Sequence, residues 1–95
     1  MGASDFLSVA LEQEIRKTLR MGAEKTVKDM VAYCNQEHIN SPQREGLIED
    51  AMVMYFQQAV TGDSLKVLET LNVDIDVMSI IKEIGDEVLK QAYNS

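Results

Sequence analysis

The sequence predicts an all-α fold, and three observations carry that expectation. Helix breakers are scarce, with one proline (Pro42) and five glycines in 95 residues. Apolar residues recur at steps of three and four along most of the chain. Start and stop signals fall where those rows begin and end, at Ser41-Pro42, Gly62 and Asp76. Together they predict a small bundle of four to five helices in a single domain, residues 1–95, with residues 47–60 as the central buried helix.

The first segment opens with Ser4 as a plausible N-cap and Asp5 in the first turn, where the helix dipole favours a negative charge. Leu7, Leu11, Ile15, Leu19, Ala23, Val27 and Val31 then form an i±4 ridge. A charged row, Glu12, Arg16, Arg20, Glu24 and Lys28, runs beside it, with acid-first pairs at i, i+4. Two arrangements fit: one helix over residues 5–37, or a break near 22–25 with Gly22 at C′ and Thr26 capping a second helix. The glycine favours the break.

Ile39-Asn40-Ser41-Pro42 reads as a helix end, a loop, an N-cap and Pro at N1. The next helix carries two apolar rows: Leu47, Ala51, Tyr55, Ala59 and Ile48, Met52, Phe56, Val60. Its run Ala51-Met52-Val53-Met54-Tyr55-Phe56 is apolar nearly all round, as in the buried centre of a bundle. A 95-residue chain is small for covering every face of such a helix, so Met52, Met54, Tyr55 and Phe56 are the expected protein-interaction residues and the expected partner is a second copy. Gly62 ends this helix, and Asp63 or Ser64 caps a short one over Leu65–Leu71. After the linker Asn72–Asp76, Asp76 caps a last helix with Val77, Ile80, Ile81, Ile84, Val88, Leu89 and Ala92 on one face. Ser79, Lys82, Glu83, Asp86, Glu87 and Lys90 face water. Gly85 within that helix predicts a close helix crossing.

Hydrophobic residues make up 45% of the chain, too many for a disordered segment. No apolar stretch approaches the roughly 18 residues that cross a bilayer. The opening MGASDFLSVALEQE has no basic n-region, so no secretory leader is expected. The single cysteine, Cys34, has no internal disulfide partner. These features predict a cytosolic protein, of a cell or of an infected host.

The net charge is −7, unevenly spread. Residues 16–28 carry +4, residues 1–15 carry −3 and residues 29–95 carry −8. The basic stretch, Arg16, Lys17, Arg20, Lys25 and Lys28, is the candidate contact for an anion or an acidic partner, with the arginines as bidentate donors. A solvated face paired with the chain's own acids explains the same charges. Direct DNA binding is not expected. The helix after Pro42 would present Gln43, Arg44, Glu45, Glu49 and Asp50, a net-negative face that phosphates repel.

Two metal readings fail on the residues themselves. Asn72, Asp74, Asp76 and Glu83 match positions 1, 3, 5 and 12 of a calcium loop, but position 6, where the turn requires glycine, is Val77. Cys34 and His38, spaced i, i+4, supply two of the four ligands a structural zinc needs. The same pair lacks an orienting third group for nucleophilic catalysis. No metal or cofactor is expected.

The segment Tyr33-Cys34…Ile39…Leu47-Ile48 resembles the helical core of small phage late-transcription coactivators, which bridge RNA polymerase to a sliding clamp. It covers about a third of the chain, and the family's acidic-hydrophobic clamp-binding tail has no counterpart in Lys90-Gln91-Ala92-Tyr93-Asn94-Ser95. The function expected from the residues is therefore a non-enzymatic protein-binding module: an adaptor, inhibitor or assembly subunit that self-associates, as a dimer, through an apolar helix face. The alternative is a binder of a small anionic ligand or nucleotide through residues 16–28.

Overall fold

A computed structural model of the chain describes residues 3–62, 66 and 75–94, without the side chains of residues 3–5. They form α1 (Ala3–Gln36), α2 (Gln43–Thr61) and α3 (Val77–Tyr93). The all-α class holds. The expected four to five helices are not matched: the described residues hold three, α1 being one unbroken helix and most of residues 65–71 lying outside the described residues. Of the short helix expected over 65–71, Lys66 alone is described, in helical conformation; its other residues and its cap at Asp63 or Ser64 lie outside the described residues.

α1 passes through Gly22 as one 34-residue helix, so the expected break near 22–25 is absent. The glycine serves a tertiary contact instead. A Cβ built there would overlap the phenol ring of Tyr55, so Gly22 is the notch that admits α2. Thr26, expected as a cap, lies mid-helix and donates its hydroxyl to the Gly22 carbonyl at 2.8 Å, the usual i−4 back-bond of an interior threonine.

The helix ends where its backbone turns left-handed at His38 (φ 56°). The Ile39 amide donates to the Cys34 carbonyl at 2.8 Å and the His38 amide to the Asn35 carbonyl at 3.4 Å, the two bonds of a Schellman cap. His38 thus sits past the helix, and the shared helical face expected for Cys34 and His38 does not exist.

α2 begins one residue later than the sequence suggests, with Pro42 at the N-cap, within the usual scatter of helix ends. Ser41 Oγ donates to Glu45 Oε1 at 3.0 Å. α2 stops at Gly62, as expected. α3 follows the sequence most closely. Asp76 caps it, accepting from the Ser79 amide at 3.2 Å and the Ser79 hydroxyl at 2.7 Å.

One core joins the helices: Leu19, Ala23 and Val27 of α1; Ile48, Met52 and Phe56 of α2; Ile80, Ile84 and Val88 of α3. Gly85 is buried with them, and a Cβ added to it would come within 3.3 Å of Met52 Cε and 3.6 Å of Phe56 Cε2. That is the close crossing its position predicted. On α1 the steps-of-four row holds only through the middle. Leu7 is exposed and Val31 half-buried, because each such step advances roughly 40° around a helix and the row drifts off the core face.

Ion pairs Arg16–Glu83 and Arg20–Glu87 advance together, so α1 and α3 run parallel. α2 runs back between them in sequence: Tyr55 lies by Thr18 and Gly22, and Glu49 by Tyr93. α1, not residues 47–60, is the central element, since α2 and α3 each pack mainly on α1 and meet one another least. α2 buries one stripe, Ile48, Met52 and Phe56, and leaves Val53 and Met54 half-exposed or more. The radius of gyration is 15.6 Å with extents of 53 × 24 × 15 Å. A rounded domain of this length has about 12 Å.

Candidate functional site

The apolar run of α2 divides between two surfaces. Met52 and Phe56 enter the chain's own core, four residues apart on one stripe. Tyr55 is half-buried against α1, and its hydroxyl donates to the Thr18 carbonyl at 3.4 Å. Its ring meets Phe56 with centroids 5.4 Å apart, and burial pushes its phenol above the ordinary value. Of the four expected interaction residues, Met54 alone faces outward, at 59% exposure. Val53, at 50%, joins it, and the sequence reading had passed over it. From Ala51 to Gly62 the helix carries no charged residue at all.

The basic stretch of α1 is partly spent on the chain itself. Arg16 Nη1 meets Glu83 Oε2 at 2.5 Å, and Glu12 lies 3.9 Å from Arg16 Nε. The Glu83 hydrogen bond is the main reason the Arg16 guanidinium is raised above its ordinary value. Arg20 pairs with Glu87. Lys25 pairs with Asp29 at 2.8 Å, which raises the ammonium likewise. These pairs are exposed, and water screens them. Their structural consequence is register: two arginines one turn apart meet two glutamates one turn apart, 67 residues along the chain.

Lys17 and Lys28 are exposed, with no acid within 4 Å among the described residues. The structure therefore does not gather the five cations into one pocket. Glu83 and Glu87 could not have been assigned to Arg16 and Arg20 from sequence, because nothing local links positions so far apart.

On the other edge of α3, Tyr93 donates to Glu49 Oε1 at 2.6 Å. Burial first, and that hydrogen bond second, hold the phenol at about 12. Between α1 and α3 runs an open groove of about 330 Å³. Val27, Val31, Val88 and Ala92 line it together with Glu24, Lys28 and Gln91.

The remaining sequence candidates resolve into structural roles. Cys34 is fully buried, and Asp76 and Glu83 are a helix cap and an ion-pair partner. Asn72 and Asp74 lie outside the described residues. Among the described residues, no three His, Cys, Asp or Glu side chains converge as a metal site, and no helix is long and apolar enough to cross a membrane. Beyond α2, Phe6 (79%), Val9 (56%) and Met21 (62%) of α1 also stand in solvent. The chain's candidate site is thus a surface, made of apolar side chains on the outward faces of α1 and α2. No protein-family model, no curated protein and no solved structure matches this chain.

Proposed function

We propose that this protein is a non-enzymatic binding module of the cytosol, an adaptor, inhibitor or assembly subunit that buries apolar helix surface against another protein chain. Self-association as a dimer belongs to the same reading. The observation that supports it is the outward face of α2. Val53 and Met54 are half-exposed or more, within twelve consecutive uncharged residues of a chain in which 26% are charged. Water disfavours such a face, and covering it with a partner recovers about 25 cal/mol for each Å² of apolar area removed from solvent. The absence of charge lets it be covered without stranding an ion.

The anionic-ligand alternative has less behind it. Arg16, Arg20 and Lys25 each already face a carboxylate of the chain, so an anion would have to displace one.

The test is Met54→Glu. Its side chain points into water, so the variant should melt with the wild type. A protein captured specifically by the wild type and lost with Met54→Glu supports the reading. Equal capture by both takes the contact away from the α2 face, and no capture by the wild type, or its stabilisation by phosphate or nucleotides, overturns the reading.

A further inference from the structure

The outward face of α1 has its own pattern. Leu7, Ala10, Glu14, Lys17, Met21 and Glu24 recur at alternating steps of three and four, the spacing of heptad positions a and d. All six are exposed; Leu7, Ala10, Glu14 and Met21 lie across the helix from Leu19, Ala23 and Val27, and Glu24 also lines the groove shared with α3. Among the described residues, α2 and α3 therefore leave exposed a seam of three apolar and three charged side chains.

Electrostatics chooses what covers that seam. A second copy laid parallel and in register would set Glu14 on Glu14 and Lys17 on Lys17, and like charges repel there. Turned antiparallel about the point midway between residues 14 and 17, the same two helices set Glu14 against Lys17, Ala10 against Met21 and Leu7 against Glu24, each twice. Lys17 has no acid of its own chain within 4 Å among the described residues, so it is available for that contact. The acidic first fifteen residues (−3) of each copy then lie along the basic residues 16–28 (+4) of the other. A nucleic acid fits poorly, because Glu14 and Glu24 interrupt the lysines. A uniformly acidic protein would meet the same two glutamates.

We propose that α1 is a homodimerisation helix, pairing antiparallel with α1 of a second copy through Leu7, Ala10, Glu14, Lys17, Met21 and Glu24. This rests on the reading of the protein as a binding module and names one of its partners. It leaves the α2 face, with Val53 and Met54, for a different chain.

The experiment measures the mass of the full chain by light scattering as it elutes from a sizing column, over roughly 1 µM to 1 mM, the range of a modest homotypic contact. The wild type should approach twice 10.7 kDa as concentration rises. Glu14→Lys and Lys17→Glu should each weaken the dimer at least tenfold, because each sets like charges opposite one another at two places. The double variant should restore it, and all three should melt near the wild type, since both residues are exposed. Met21→Glu should also release monomer.

A wild type that stays monomeric throughout overturns the proposal, whether the seam belongs to another protein or to the chain's own residues 63–74. So does a dimer indifferent to Glu14→Lys, or a double variant that fails to recover. A dimer broken by Met54→Glu and untouched by Glu14→Lys would assign self-association to α2 and leave the binding-module reading standing.

Discussion

Gly22 shows how one position carries opposite meanings in sequence and in structure. An isolated glycine in a helical pattern reads as a stop, and locally that reading is sound. What it lacked was Tyr55, which lies 33 positions away and occupies the space a Cβ would need. Alanine at an open helix position gains up to about 1 kcal/mol over glycine. Gly22→Ala should instead destabilise the protein by about 1–3 kcal/mol, as overpacking does. Gly46→Ala, with nothing within 4 Å of the new methyl group, should show the ordinary gain. Urea melts of the two variants check the contrast. Adding Tyr55→Ala beneath Gly22→Ala should turn the second change favourable, and a Gly22→Ala protein as stable as Gly46→Ala would refute the notch. The arginines teach a similar lesson: the cluster is visible in the sequence, but its partners Glu83 and Glu87 are not.

Among the elements, α3 was legible almost residue by residue. Its apolar row keeps phase from Val77 to Ala92, its polar row is all exposed, and Asp76 caps it as expected. α2 was legible as a helix and misread as to faces. With apolar residues on two rows and between them, periodicity alone does not say that Met52 goes in and Met54 goes out. The partners decide that, through Gly22 admitting Tyr55 on one flank and Gly85 admitting Met52 and Phe56 on the other.

The Asp76 cap gives α3 a pH dependence with a definite sign. Chiefly its side-chain hydrogen bond with Ser79, then the Ser79 amide, hold its carboxyl below the ordinary 3.8. A carboxylate depressed in the folded state contributes stability that is full above its unfolded value and lost as pH falls through the folded one. Asp76→Asn, which still offers a capping oxygen, should match the wild type at pH 7 and lose less stability as pH falls below 3.8. Thermal melts along that acid limb measure the difference, and parallel losses in the two proteins would deny the cap its role.

At the scale of the whole molecule, the main departure from expectation is where the centre lies. The sequence suggested an oily central helix wrapped by its neighbours. The structure has a long spine, α1, on which α2 and α3 each pack, meeting each other least. That arrangement buries a modest core and leaves Phe6, Val9, Met21, Val53, Met54 and Met78 half-exposed or more. The outward surfaces were legible only as a surplus of apolar residues, since which ones stay outside depends on which helix becomes the spine.

If that surplus is shared between copies, association and folding are linked by mass action, because only the folded chain presents both faces. The concentration dependence of the melting temperature tests this most directly. Over about a hundredfold rise in protein concentration the melting temperature should climb steadily, as for any folded state stabilised by its own association. A melting temperature that stays flat over that range, in a particle that remains at 10.7 kDa, would contradict it.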